Sequence, residues 1–314
     1  MRCLLLLAGC CGLCCAASLE NLAHGFDGRV GACIESRTGS DCLKPDEPFA
    51  LQSVMKLVVA AAAMDRVDHQ QWSLDERIVV HREDLSLFVE PIAKLVTDRG
   101  FETTLGDLVR RAVVDSDSAA ADILIAKLGG TVGVRAFLQR KGIAGVRVDR
   151  DEKHLQTEIL GMAWRAEFVD PAALDRAIAA VPDARRTAAY RRYQADVRDT
   201  ATPRGMSSFL FTLAEGRLLS PASTARLMKV MTETVTFPDR LKAGVPAGWT
   251  FGHKTGTSGS WKGVTAATND VGILAAPDGG HVAVVVFIGD CREPEPKRAA
   301  LMANVARLAV ASYR

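Results

Sequence analysis

The chain has 314 residues, of which 48% are hydrophobic and 24% are charged, and this composition is typical of a globular protein that forms a core. At about 150 residues per domain, the length predicts two domains or one large domain with an insertion. The 39 basic and 37 acidic residues leave a net charge of +2, so electrostatics does not direct the chain to nucleic acid or to an anionic membrane. An enzyme or a folded binding protein remains.

The first 17 residues have the order of a secretory signal peptide. Arg2 is followed by an uncharged stretch that ends in small residues at Ala17, and this stretch is too short to remain as a membrane-spanning helix. We therefore expect export, to the periplasm or out of the cell. The run from Leu7 to Cys10 is similar to a lipoprotein processing site, so a lipid anchor on Cys10 is an alternative to cleavage after Ala17.

Five of the eight cysteines lie in this segment, which leaves Cys33, Cys42 and Cys291. Cys33 and Cys42 flank a turn and could form a disulfide in an oxidising compartment. Neither spacing nor composition requires one, and we expect buried free thiols instead.

The periodicity of apolar residues predicts the elements in chain order. The predicted elements are a strand over 29–36, an alanine-rich helix over 54–64, helices over 105–112 and 119–128, a helix over 221–231, strands over 270–276 and 281–289, and a helix over 297–312. Strands near both ends imply that the termini share one sheet. The prediction is an α+β fold in which 18–64 and 236–314 form an α/β lobe, 65–235 form a helical lobe, and a cleft lies between them.

Ser53 and Lys56 form the first pattern with chemical meaning, at the start of the alanine-rich helix. A serine in the first helical turn lies at the positive end of the helix dipole, which favours an oxyanion. A lysine three residues later lies on the same face and can accept the hydroxyl proton if water is excluded. The alternative is an N-cap serine with a solvated lysine, which suits poorly a helix that is apolar on nearly every side.

Two more motifs follow in order. One is Ser116-Asp117-Ser118, between two predicted helices, and the other is Lys254-Thr255-Gly256-Thr257, on a predicted edge strand. Glycine within a strand often marks a close approach of the backbone to a ligand, and a lysine with two hydroxyl groups suits a carboxylate. The Lys254 motif alone is also explained as a polar turn before a hairpin, but the three motifs together predict a site.

Taken together, the three motifs resemble those of the class A serine β-lactamases, within the wider family of penicillin-binding-protein-like serine hydrolases. The resemblance runs from about residue 22 to the end and includes Phe49 to Ser53, Arg147 to Glu152, Arg198 to Pro203, and Val245 to Trp249. It implies the β-lactamase/transpeptidase-like fold, in which an antiparallel sheet is flanked by helices and joined to an all-helical lobe.

The resemblance also implies roles for individual residues. It implies that Ser53 is the nucleophile, that Lys56 or Glu152 removes its proton, that Ser116 transfers a proton to the leaving nitrogen, and that Glu152 activates the hydrolytic water. It further implies that the backbone N–H groups of Ser53 and Thr257 form the oxyanion hole and that Arg150 and Asp199 close the omega loop. The residues that it implies bind substrate are Ser118, Gln156, Arg240, Lys254, Thr255, Gly256 and Thr257. Val271 stands where other members carry the arginine that Arg240 would replace. No metal or organic cofactor is implied, and we expect a monomer.

The sequence departs from the family pattern in three places. Ser118 and Gln156 each stand where an asparagine is typical, and a serine hydroxyl cannot make the paired contacts of an amide. Glu152 and Asp199 are 47 positions apart, against roughly a dozen in typical members. We expect the extra segment, about 157–197, to form two or three short helices as a lid beside the site. A surface insertion away from the cleft is the alternative.

The predicted activity is hydrolysis of the β-lactam amide through an acyl-enzyme. A D-alanyl-D-alanine carboxypeptidase, or another serine acyl hydrolase of this fold, is one alternative. Glu152 argues against it, because enzymes of this fold that must keep the acyl group long enough for transfer lack a dedicated deacylating base. The other alternative is a binding protein that is acylated and turns over poorly.

Phe88 is predicted to be either an aromatic wall of the cleft or a core residue.

Overall fold

The computed structural model describes residues 18–314, and the predicted signal segment, including Cys10, lies outside them. Within that range the chain forms an α+β fold, as predicted. The helices are α1 Leu19–Ala23, α2 Met55–Asp68, α3 Leu105–Val114, α4 Ser118–Lys127, α5 Thr131–Arg140, α6 Glu152–Ile159, α7 Pro171–Ala179, α8 Asp183–Gln194, α9 Pro203–Ala214, α10 Pro221–Thr232 and α11 Glu295–Ser312. The strands are β1 Arg29–Ser36, β2 Gly39–Leu43, β3 Phe49–Ala50, β4 Arg77–Val80, β5 Phe101–Thr104, β6 Thr200–Ala201, β7 Thr250–Thr257, β8 Ser260–Trp261, β9 Val264–Ala275 and β10 His281–Cys291.

One antiparallel sheet joins the two ends of the chain. Its strand order is β2-β1-β10-β9-β7, and the short β8 pairs with β9. The predicted hairpin is confirmed, because His281 on β10 pairs with Ala275 on β9 across a tight turn. The strand that carries Lys254 to Thr257 lies at the edge of this path, as predicted.

Both faces of the sheet are covered by apolar layers, as the valine-rich strand β10 shows. Val282, Val284 and Val286 pack against α11, while the alternate residues Val285 and Phe287 pack into the larger core on the other face. Period-2 alternation therefore divides one apolar strand between two cores.

Helix α2 lies in the middle of the larger core and contacts α3, α4, α5 and α10. Its alanines, Ala60 to Ala63, are at most 1% exposed. Small side chains let several helices approach α2 closely, and the packing is dense on every side. The prediction of a helix buried on most sides is confirmed, and this buried helix holds Ser53 and Lys56 in place.

The prediction of free thiols at Cys33 and Cys42 is wrong. The two residues are register partners on the adjacent strands β1 and β2, and they form a disulfide. The reason lies in the sheet, because the tight turn folds β2 back on β1 and brings the two side chains to the same face. Cys291 is buried and is the one free cysteine among residues 18–314.

Within residues 18–314, none of the helices combines the length and the apolar character that are needed to cross a bilayer.

Candidate active site

Ser53 lies in a 3-10 turn, Gln52–Val54, that runs directly into α2. Its neighbours Gln52 and Val54 are buried, whereas Ser53 is partly exposed. Gln52 has a φ of 48°, a left-handed conformation that is costly for a residue with a side chain and that is common at functional sites. The hydroxyl is therefore presented from a strained turn at the positive end of a buried helix.

Strand β7 runs unusually close to this turn, and glycine permits the approach. A Cβ atom on Gly256 would lie 2.5 Å from the carbonyl oxygen of Leu51 and 3.2 Å from the backbone nitrogen of Ser53. The backbone of β7 therefore passes alongside the Ser53 N–H group.

Lys56 is fully buried and its ammonium group connects three parts of the site. Its Nζ donates to the Ser116 carbonyl oxygen at 2.5 Å and to the Ser118 Oγ at 3.0 Å. The same atom lies 3.3 Å from Oε1 of Glu152. The lysine, the Ser116 motif and the glutamate, which are far apart in sequence, therefore meet at one point.

Ser116 and Lys254 form a second pair beside it. Ser116 has a φ of 58°, and its Oγ accepts a hydrogen bond from Lys254 Nζ at 2.9 Å. Lys254 also donates to the carbonyl oxygen of Thr255. Burial, together with the positive charge of Lys56, holds the pKa of Lys254 well below its usual value. The hydroxyl groups of Thr255 and Thr236 form a hydrogen bond, with their oxygen atoms 2.6 Å apart.

Glu152 is the first residue of α6, which Asp151 caps by accepting the backbone N–H of His154. Its side chain is almost completely buried, and its Oε2 accepts a hydrogen bond from Nε2 of Gln156 at 3.2 Å. Gln156 also donates to Oε1 of Gln52 at 3.0 Å. This amide therefore links the glutamate to the turn that carries Ser53.

Asp122 on α4 fixes the start of α6 from behind. Its Oδ1 accepts the backbone N–H of Glu152 at 2.7 Å, and its Oδ2 accepts the Ser86 hydroxyl at 2.7 Å. Burial, with the nearby charges of Asp151 and Glu152, raises the pKa of Asp122 to about 7.

The segment that carries Glu152 is closed by an ion pair. Nε of Arg150 lies 2.6 Å from Oδ2 of Asp199, and both residues are buried. Oδ1 of Asp199 accepts the backbone N–H groups of Asp149 and Arg150. The two ends of the long loop are thus joined, as the predicted pairing of Arg150 with Asp199 requires.

A cavity of about 330 Å³ opens over Ser53. The predicted site residues that line it are Ser53, Ser118, Glu152, Gln156 and Thr257. Lys56, Ser116 and Lys254 lie behind this lining and reach it through the hydrogen bonds described. Phe88 lines the cavity and is 54% exposed, so the alternative that it packs in the core is wrong. Among residues 18–314, no group of three or more His, Cys, Asp or Glu side chains is placed to hold a metal ion.

Known proteins with the same sequence pattern and fold give this site its context. The family model described as the β-lactamase enzyme family matches residues 15–313. The extended-spectrum β-lactamase PER-1 of Pseudomonas aeruginosa is 30% identical, over 93% of this chain and 84% of that protein. The β-lactamase VEB-1 of the same species is 26% identical, over 92% of this chain and 87% of that protein. The solved structure of an ancestral class A β-lactamase has a TM-score of 0.75 and 31% identity, covering 94% of this chain and 98% of that one.

The chain belongs to the class A serine β-lactamase family. It is a β-lactam hydrolase, and the recognition made from the three sequence motifs is confirmed.

In this β-lactamase, Arg240 is completely buried and does not line the cavity. Its guanidinium donates to Oγ1 of Thr257 at 2.8 Å and to the carbonyl oxygen of Asn269 at 3.1 Å, and it pairs with Glu295 at 3.1 Å. Burial lowers its pKa. Arg240 therefore reaches the cavity through the Thr257 hydroxyl.

Sequence reasoning missed Asn269, which connects the sheet to the segment before the nucleophile. Its Nδ2 donates to the carbonyl oxygens of Ala50 and Leu51, at 2.7 and 3.0 Å. The residue is fully buried on β9. The available signal was the polar run Thr268-Asn269-Asp270 inside a mostly apolar strand, because a buried amide needs partners.

The insertion of this β-lactamase lies beside the site. Its helices are α7 and α8, and they begin at the predicted signals Asp170-Pro171 and Pro182-Asp183. Side chains from α6 to α8 line the cavity, namely Ile159, Leu160, Ile178, Arg186 and Tyr190. The alternative of a surface insertion away from the cleft is therefore wrong.

Proposed function

We propose that this β-lactamase opens the β-lactam amide through an acyl-enzyme on Ser53, which Glu152 then helps water to hydrolyse. The observation that supports this most directly is that Ser53 and Glu152 line the same cavity while the Glu152 carboxylate lies 3.3 Å from Lys56. A nucleophile, a cationic proton carrier and a carboxylate base are thereby held around one space.

In the acylation step, Oγ of Ser53 attacks the amide carbonyl and forms an ester as the C–N bond breaks. The proton that leaves Ser53 goes to the Glu152 carboxylate, either directly through water or by way of Lys56, which first gives a proton to Glu152 at 3.3 Å and then accepts the serine proton as a neutral amine. We propose that the developing oxyanion binds at the backbone N–H groups of Ser53 and Thr257. Because Gly256 has no side chain, β7 can pass close to the Ser53 N–H group.

The leaving nitrogen needs a proton, and Ser116 is the proposed donor. Its hydroxyl lies 2.9 Å from the Lys254 ammonium, which can replace the proton that the serine gives up. We propose that the substrate carboxylate binds at Thr255 and Thr257, in front of the cations Lys254 and Arg240. The hydrogen bond from the Arg240 guanidinium to the Thr257 hydroxyl supports this position.

Deacylation then requires a water that Glu152 deprotonates. Gln156 lies 3.2 Å from the carboxylate and is the proposed second contact of that water. Ser118 keeps only a hydroxyl, 3.0 Å from Lys56, where the family typically has an amide, so the substrate amide would be held more loosely at this point.

The test combines nitrocefin hydrolysis with intact-mass analysis. The unaltered protein should turn over nitrocefin, Ser53→Ala should abolish turnover, and Glu152→Gln should accumulate a covalent adduct. Glu167→Gln is the matched control, because Glu167 is exposed on the insertion, where it pairs with Arg165. A Ser53→Ala protein with unchanged turnover would refute the proposal. A rapid burst without turnover in the unaltered protein would favour the poorly hydrolysing binding protein, and cleavage of D-alanyl-D-alanine peptides in its place would favour the peptidase.

We propose also that the protein is exported. The Cys33–Cys42 disulfide supports this, because disulfides persist in oxidising compartments and are rare in a reducing cytoplasm. Fractionation of the host cell should recover the protein outside the cytoplasm. Mass analysis of its mature N-terminus would separate cleavage after Ala17 from lipidation of Cys10, and recovery of the full-length chain in the cytoplasm would contradict export.

A further inference from the structure

One wall of the active-site cavity is built by the insertion and carries a positive charge. Arg186 on α8 lies over the ring of Trp261, with its guanidinium carbon 4.1 Å from the ring centroid. Both side chains line the cavity that also contains Ser53. The cation therefore faces the space in which the substrate must bind.

Three hydrogen bonds fix this wall in place. The hydroxyl of Tyr190, one helical turn after Arg186, lies 2.8 Å from the Gly259 carbonyl oxygen and accepts the backbone N–H of Ala266 at 2.8 Å. The indole N–H of Trp261 donates to Oγ1 of Thr187 at 3.0 Å. The turn of α8 that follows Arg186 is thus joined to β8 and to the residues that flank it, so the cation is held before any ligand binds.

The donors of Arg186 remain available. Stacking on an indole uses the flat face of a guanidinium and leaves its N–H groups in the plane free to bind a carboxylate with two hydrogen bonds. Within residues 18–314, the Arg186 side chain makes no ion pair and no hydrogen bond. Asp183, at the start of the same helix, pairs with Lys262 at 3.7 Å.

Much of the remaining lining of this cavity is apolar. Leu160, Ile178 and the exposed Phe88 line it together with the Trp261 ring. A ligand that binds Arg186 within this cavity should therefore combine a flat or apolar body with an anionic end.

We propose that Arg186 and Trp261 form a subsite for a carboxylate at the far end of the β-lactam acyl side chain, distinct from the position proposed at Thr255 and Thr257 for the carboxylate of the β-lactam nucleus. This inference rests on the proposed function of Ser53. It names the substrate class that the insertion favours, namely β-lactams with an aromatic acyl side chain that ends in a carboxylate.

The test compares two cephalosporins that share a nucleus and an aminothiazole side chain. Cefdinir carries a free oxime hydroxyl, and cefixime carries a carboxymethyl group on the same oxime. The measured quantity is the ratio of kcat/KM for cefixime to kcat/KM for cefdinir. Arg186→Gln should lower this ratio about tenfold to a hundredfold, the range expected for a charged hydrogen-bond pair.

Arg185→Gln is the matched control. Arg185 is the preceding residue on α8 and loses the same charge, but it lines a separate cavity behind the omega loop. Its ratio should stay within twofold of that of the unaltered protein, and Arg186→Lys should give an intermediate ratio because lysine cannot donate in a fork.

An unchanged ratio in Arg186→Gln, or an equal fall in Arg185→Gln, would overturn the subsite. Failure of the unaltered protein to hydrolyse nitrocefin would instead overturn the proposed function, and this inference with it. If the unaltered protein hydrolyses nitrocefin and cefdinir but Arg186→Gln has the same cefixime-to-cefdinir ratio, the proposed function stands and the subsite at Arg186 is wrong.

Discussion

Asp122 should make the stability of this protein depend on pH in a direction that most carboxyl groups do not. Burial, with the charges of Asp151 and Glu152 nearby, raises its pKa from 3.8 to about 7. Between those two values the folded protein keeps a proton that the unfolded chain has lost. The contribution of Asp122 to stability is therefore complete below about pH 4 and is lost as the pH rises through about 7.

Replacement by asparagine removes this titration while it keeps most of the contacts. An asparagine can accept the Glu152 N–H and donate to the Ser86 hydroxyl, and it loses only the 3.2 Å hydrogen bond from the Lys153 N–H. A gap of about three pKa units corresponds to about 4 kcal/mol over the full range, and to about 3 kcal/mol between pH 4.5 and 7.5. As the pH rises from 4.5 to 7.5, the free energy of unfolding of Asp122→Asn should therefore increase by about 3 kcal/mol relative to that of the unaltered protein.

The assay is urea unfolding at 25 °C, followed by tryptophan fluorescence at four pH values from 4.5 to 7.5. The difference in the free energy of unfolding between the two proteins cancels the titration of groups that they share. Asp175→Asn is the control, since it makes the same substitution at an exposed position on α7. A difference for Asp122→Asn that stays constant across the range would refute the reasoning.

Three further predictions concern the scaffold of the site. Arg150→Ala should lower the free energy of unfolding by about 3–5 kcal/mol, because Asp199 is 2% exposed and would lose its partner. The control is Arg147→Ala, which breaks an exposed ion pair and should lower the free energy of unfolding by less than about 1 kcal/mol. Equal losses for the two variants in urea unfolding would contradict this prediction. Gly256→Ala should lower nitrocefin turnover at least about tenfold and destabilise the fold by about 1–3 kcal/mol, because the new methyl group meets the Leu51 carbonyl at 2.5 Å; turnover within twofold of the unaltered protein would show that β7 can move aside. Reduction of the Cys33–Cys42 disulfide should lower the free energy of unfolding by about 2–3 kcal/mol, as expected for a short closed loop; an unchanged urea midpoint after reduction, with alkylation of both cysteines confirmed by peptide mapping, would contradict it.

The fold was largely predictable because its elements have clear periods. The strand over 29–36 and the terminal helix are found within two residues of their predicted bounds, since β-branched runs and amphipathic spacing are local properties. The site motifs were predictable for a different reason, because short fixed spacings such as Ser53 to Lys56 survive in sequence.

The features that sequence reasoning did not reach depend on contacts between distant segments. The disulfide follows from the register of β1 on β2, which spacing alone does not determine. Asn269 bonds to residues more than 200 positions away. Arg186 looked like one of several arginines in the insertion, and only the packing of α8 against Trp261 separates it from Arg185.

The pair formed by Arg150 and Asp199 has a consequence for how this loop can vary in length. Because the two ends of the segment are tied together beside the nucleophile, whatever lies between them forms a closed loop. Extending such a loop from about a dozen residues to about four dozen costs only about 1 kcal/mol of closure entropy, which two docked helices can offset. The junction is therefore a natural place to exchange one segment for another, and with it the shape of the entrance, without disturbing the groups that carry out the chemistry.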